Sequence, residues 1–322
     1  MEKTELNSKW EDISSFKEKK GYKALRISST SFSDLFLAID QDGLRCLLLY
    51  LPKDIEVKIK DSDKSKLLIS FLPSKSILLI KLKDSDFLDL FDDLILSIYS
   101  KISLISDPKK ASKEFIITFY KWSQFFKDST NNNLGEEEIQ GLFGELFVLN
   151  EYLKKSDPFN INSFLDSWKG LYDTTNDFEF VLKNVEVKTK KESKIYVKIS
   201  SEFQLEKVPD KGLELLIVSV KIDLIKGKSI HDKLLEIIIN IREHKGDLSI
   251  LYQALNQKKL SVENLKLYNN HRFLVTKTES FDASNDDFPK LSLSNIFNEI
   301  SSLKYKLRVI KLDQFLIEKI KY

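Results

Sequence analysis

The stretch from Asp177 to Lys190, DFEFVLKNVEVKTK, constrains this chain most. Period-two alternation on either side of Lys183-Asn184 predicts two short strands joined by a two-residue turn. In that register Asp177, Glu179 and Val181 share a face with Glu186, Lys188 and Lys190. Phe178, Phe180, Leu182, Val185, Val187 and Thr189 take the other. The apolar set must pack against another layer, and the charged set is expected on the exposed side.

With 322 residues, 42% of them hydrophobic, the chain can bury two or three cores. Lys and Arg number 51 against 49 Asp and Glu, a net charge of +2, so no global basic field points to a polyanion and any basic surface must be local. The single cysteine, Cys46 in CLLLYL, excludes an internal disulfide and a cysteine-based zinc site and reads as core. His231, His244 and His271 are too scattered for a histidine metal site. The run around Gly227-Lys228-Ser229 resembles the end of a P-loop, but Ile222 stands where its first glycine belongs, which argues against ATP hydrolysis. MEKTELNSKW carries no apolar leader and no apolar run approaches the ~18 residues of a membrane span, which predicts a cytoplasmic protein without a membrane segment.

Residues 1 to 83 read mainly as strands, with LFLAID and RCLLLYL flanking a turn at Gln41-Asp42-Gly43, alternation at Ile55, Val57 and Ile59, then LLISFLP and SILLIKL. Helical spacing follows at Phe87, Phe91, Leu94, Ile95, Ile98 and Ile102, and again after Pro108. The polar run 128–133 predicts a linker. Three domains are expected: a β-rich and helical domain at 1–130, a core at 131–226 and an α+β extension at 227–322.

The core opens with an amphipathic helix, LGEEEIQGLFGELFVLNEYL, whose acidic first turn suits the helix dipole. Gly141 and Gly144 cost about 1 kcal/mol each relative to alanine, which implies a close neighbour. Glu145, at the edge of the apolar stripe, is either solvated or aimed at the hairpin. Residues 164–176 have room for one brief strand. After the hairpin come a strand at Ile195–Ile199, a short helix from a Ser201/Gln204 capping box, and a central strand LELLIVSV at Leu213–Val220. The core order is helix, three strands, short helix, strand, followed by helical spacing near 230–241 and 251–255.

An acid on one strand and Glu-x-Lys on the next is the minimal set for hydrolysing a phosphodiester with a divalent metal, although alone it is more often a solvated sheet face. Here it lies among ordered blocks: GLFGELFVL, SWKG, NDF, VEVKT, ISSEFQL, FPKLSLSNIF and YKLRVIKLDQF. With these blocks the chain resembles the PD-(D/E)XK nuclease superfamily and, more narrowly, a bacterial family named for that motif and found in restriction and anti-phage gene clusters. The resemblance runs from about Trp122 to Phe315. Asn176 replaces the eponymous proline, and no tyrosine follows Gln204.

The resemblance implies a restriction-endonuclease-like α/β (α+β) core and a metal-dependent DNA endonuclease acting in restriction or anti-phage defence. Asp177 and Glu186, with the Val187 carbonyl, would hold Mg²⁺ or Mn²⁺. Lys188 would orient and help deprotonate the attacking water while offsetting phosphate charge, Glu145 would serve a second metal or its water, and Gln204 would position the lysine or a phosphate. Lys190, Lys191, Lys194 and Lys198, with Ser201, would contact the DNA backbone. An ATPase or methyltransferase would be the partner, and two cuts on a duplex favour a homodimer or larger assembly. The alternative is a non-catalytic DNA-binding or scaffolding subunit of a defence complex.

One geometric difficulty accompanies this reading. The simplest register sets Asp177 opposite Lys190 and Glu186 opposite Val181, leaving the acids roughly 13 Å apart. A bulge, a strong twist or a tighter turn near Val181-Leu182 must close that gap. Failing that, Glu179, opposite Lys188, is the substitute.

Overall fold

The computed structural model describes residues 1–14, 21–55, 57, 59, 62–63, 66–127, 134–172 and 174–322. The chain divides into two compact units, Met1–Asp128 and Ser129–Tyr322. The linker expected at 128–133 lies outside the described residues, as do the charged positions alternating with Ile55, Val57 and Ile59.

The first unit begins with α1 (Lys3–Ser14), then β1 (Lys23–Arg26), β2 (Asp34–Ile39), β3 (Arg45–Tyr50), β4 (Ser62–Asp63), β5 (Leu67–Leu72) and β6 (Ile77–Leu82), paired antiparallel in the order β1-β2-β3-β6-β5-β4. Gly43, with φ 81°, makes the turn between β2 and β3. α2 (Leu88–Ile102) and α3 (Pro108–Ser123) follow at the expected spacing. The strand-dominated reading of this region overlooked α1, whose Leu6, Trp10 and Ile13 are buried at i, i+4 and i+7 among charged neighbours. Cys46 is a free core thiol, pushed up to about 12 by burial.

The second unit contains α4 (Glu136–Lys154), α5 (Ile161–Ser167), β7 (Phe178–Glu179), β8 (Lys183–Lys191), β9 (Tyr196–Ile199), β10 (Gly212–Ile222), α6 (Ile230–Glu243), α7 (Leu248–Gln257), β11 (Phe273–Asp282), β12 (Tyr305–Arg308) and β13 (Leu316–Lys321). Its sheet runs β13-β11-β10-β8-β7, with β8 and β10 parallel and the other neighbours antiparallel. α4 packs on β8 and on α6. This is a restriction-endonuclease-like α/β arrangement, and residues expected as a C-terminal extension add β11 and β13 to the same sheet.

Three expected elements differ. β9 leaves the main sheet and pairs with β12 in a ribbon, which packs Val197, Ile199, Leu307 and Val309 against Leu215, Ile217 and Phe281. Residues 202–205 form a turn rather than a short helix, because the Gln204 side chain folds back to accept the Ser200 N–H at 2.8 Å. Between α4 and the hairpin, α5 ends in a single bridge from Trp168 to Phe178 instead of a strand. Among the described residues no helix is long and apolar enough to cross a membrane.

Candidate active site

The hairpin turns at Val181-Leu182, two residues earlier than local alternation predicts. Phe178 pairs with Val185 and Glu179 with Asn184, so one further step sets Asp177 opposite Glu186. Two packing contacts select this register. Phe178 and Phe180 pack edge-to-face on Tyr152 of α4 at centroid distances of 5.4 and 5.3 Å. Lys183 and Asn184 are required as strand by the parallel ladder to Gly212 and Leu213 of β10. The displacement is even, so each side chain keeps its predicted face while the two acids become neighbours.

The charged face is not exposed, in contrast to expectation. Glu186 is 1% accessible and the Lys188 side chain 16%. β8 is an interior strand, and the β9-β12 ribbon lies over the same face. Glu179 moves to the turn end beside Asn184, away from Lys188, and loses its role as substitute ligand.

Asp177 lies just before β7 and anchors its carboxylate on the Val187 N–H at 2.8 Å. A strand residue directs its N–H and C=O to the same edge, so the Val187 carbonyl faces the Asp177 side as well. Lys188 Nζ pairs with Glu186 Oε1 at 2.6 Å. Glu145 reaches the cluster from α4, where its Oε2 accepts the Trp168 indole N–H at 3.1 Å. α4 can approach β8 because Gly144 has no side chain: a Cβ there would collide with the Thr189 hydroxyl, whereas Gly141 faces open space. Gly170 is similar, since a Cβ would strike the Glu145 carboxylate.

Burial and mutual repulsion set the protonation of these groups. Burial, then Asp177, push the Glu186 carboxyl up to about 8 against the pull of Lys188 and Asn176. Burial raises Glu145 well above the usual carboxylate range, with Asp177 adding and the Trp168 N–H opposing. Asp177 is raised by burial in spite of Lys188 and the Val187 N–H. Burial disfavours the Lys188 ammonium, yet Glu186 and Asp177 outweigh it and hold the group above the ordinary lysine range. Lys188 is thus the cation of the cluster, held beside the two acids.

Among the described residues no three His, Cys, Asp or Glu side chains form a ready-made metal-binding group. Asp177, half-buried, and Glu186, buried, are a neighbouring pair of hard oxygen donors, to which Val187 would add a carbonyl, and that chemistry fits Mg²⁺ or Mn²⁺. Gln204 is committed to Ser200 N–H, and its backbone carbonyl accepts from Asn176 Nδ2 at 2.9 Å. The predicted DNA-contacting residues do not form one strip. Lys190 is buried and donates to the Lys194 carbonyl at 2.8 Å, Lys191 and Lys194 are exposed at the end of β8, Lys198 sits on the ribbon near Glu137, and Ser201 begins the turn.

Sequence reasoning missed Trp168, Gly170 and Asn176. Asn176 is buried in the place of the motif's proline and links the Gln204 carbonyl, Asn184 and Glu186. A proline side chain could make none of these bonds; the SWKG block and the residue before Asp177 were the available signals.

Neither the curated proteins nor the solved structures yield a match to this chain. One family matches over residues 6–310, nearly the whole length, under the description "Putative PD-(D/E)XK family member, (DUF4420)". The order of α4, Asp177, Glu186 and Lys188 is that of the superfamily motif, and the chain belongs to this family.

Proposed function

We propose that the chain is a metal-dependent DNA endonuclease of a restriction or anti-phage system. The observation carrying this reading is the convergence of Asp177, Glu186 and Lys188, with Glu145 behind them, on one partly buried patch at the parting of β7 and β8. A bound Mg²⁺ or Mn²⁺ would supply Lewis-acid stabilisation of the phosphate and leaving oxygen. Asp177 and Glu186 hold the oxygen donors, and the Val187 N–H fixes the Asp177 carboxylate for that task. The Lys188 ammonium draws the phosphodiester in and offsets its developing charge. Trp168 keeps the Glu145 carboxylate turned towards the cluster.

The test is cleavage of supercoiled and linear DNA by the purified protein with Mg²⁺, Mn²⁺ or EDTA. Metal-dependent cutting is expected, falling by about 10²-fold or more in Asp177→Ala and Lys188→Ala, with both variants retaining wild-type circular dichroism. Undiminished cutting by both variants would sink the assignment.

A further inference from the structure

The catalytic face of the sheet continues past Lys188 into a row of lysines that local sequence does not reveal. Strand register places Lys190 of β8 beside Ser219 of β10, Ser219 beside Lys277 of β11, and Lys277 beside Lys321 of β13. Paired residues share a face, so these side chains project from the side that carries Glu186 and Lys188. The adjacent row brings Lys319 opposite Glu279, which pairs with Lys277 and Lys319 at 2.8 Å each, and Glu192 is a second acid near Lys190. Among the described residues neither Lys190 nor Lys321 has a carboxylate partner.

Such an arrangement is unfavourable for the isolated fold. Like charges directly opposite in a ladder repel, as Lys277 and Lys321 do. Lys190 is 7% accessible, and burial, followed by Lys277, lowers its ammonium pKa. Between them Ser219 is fully buried with its hydroxyl unpartnered. The Lys277 and Lys319 side chains remain 27% and 42% accessible. Two residues along β8 separate Lys188 from Lys190, about 7 Å, and each strand adds about 5 Å across the sheet. The positive row therefore leaves the catalytic lysine sideways, towards the β13 edge.

We infer that Lys277, Lys319 and Lys321, which continue the positive row that starts at buried Lys190, bind the phosphate backbone of DNA next to the bond held at Lys188, so that the substrate strand crosses the sheet towards β13. The substrate class rests on the nuclease reading, but the row can be tested without catalysis. Binding of a fluorescein-labelled duplex is measured by anisotropy in EDTA over a series of salt concentrations. Lys277→Ala/Lys321→Ala should weaken binding about tenfold at low salt and reduce the slope of log K against log salt by about 2. Lys277→Arg/Lys321→Arg should restore both, which excludes misfolding as the cause. Unchanged affinity and slope in the alanine variant, or salt-insensitive wild-type binding, overturns the row. A loss confined to a parallel single-stranded RNA probe overturns DNA as its ligand. Wild-type protein that binds through the row and never cuts leaves the inference standing while the catalytic reading falls.

Discussion

At the residue scale, the cluster holds three carboxylates against one ammonium, and protons make up the difference. Glu186, pushed up to about 8, is mostly protonated near neutral pH. A carboxylate raised in this way favours the fold below its unfolded value near 4.5, and that contribution is lost as pH rises through about 8. A divalent cation needs the ionised form, so binding must expel the proton. Calorimetric titration of Mg²⁺ near neutral pH, in two buffers of different ionisation enthalpy, should show net proton release that fades in more alkaline solution. Heats independent of the buffer would contradict the assignment of Glu186. Trp168→Phe tests the neighbouring link. Without the indole N–H the Glu145 carboxyl rises further, and cleavage is expected to drop about tenfold with folding intact.

At the scale of elements, the site depends on how closely α4 can lie on β8. Gly144→Ala would force the helix off the Thr189 hydroxyl, an overpacking cost of about 1–3 kcal/mol that exceeds the gain in helix propensity. Adding Thr189→Ala opens the space and should recover most of the lost stability in denaturant melts, since that hydroxyl is buried without a partner. Additive losses in the double variant would mean the contact is not what sets the spacing. The same elements show what the sequence could disclose. Period-two alternation assigned the faces of the hairpin, and the Asp, Glu-x-Lys pattern marked its charged side. Local alternation misplaced the turn, and only the need to bring the two acids together pointed to Val181-Leu182 as one of three solutions; the choice is made by the pairing of Lys183 with Gly212 and by Phe178 and Phe180 packing on Tyr152, contacts remote in sequence. Trp168 and Asn176 were hidden for a related reason: single hydrogen bonds leave no periodic trace. The capping-box reading of Ser201 and Gln204 identified a real side-chain-to-backbone bond, but its acceptor reaches backwards to Ser200 and makes a turn.

At the scale of the whole molecule, every residue of the candidate site belongs to the unit from Ser129 to Tyr322, and the first unit has a keystone of its own. Asp92 of α2, 3% accessible, accepts from Trp10 Nε1 and Arg45 Nη1 at 2.9 Å and pairs with Lys3 at 3.1 Å, tying α1 and β3 to α2. The Arg45 guanidinium also lies 4.5 Å from the centroid of the Trp10 ring. Removing a buried acid strands its partners, and because Lys3 and Arg45 retain some solvent contact the loss should fall near the lower limit for such pairs, about 3 kcal/mol. Asp92→Ala is therefore expected to lower one thermal transition in scanning calorimetry. A transition that Mg²⁺ raises would report the second unit through ligand linkage, and it should stay in place. Retention of metal-dependent cutting by this variant, at temperatures below the lowered transition, would locate the chemistry in the second unit alone. Loss of cutting while the Mg²⁺-sensitive transition is preserved would mean that the first unit takes part in holding DNA, a task the net charge of +2 leaves to local surfaces such as the lysine row.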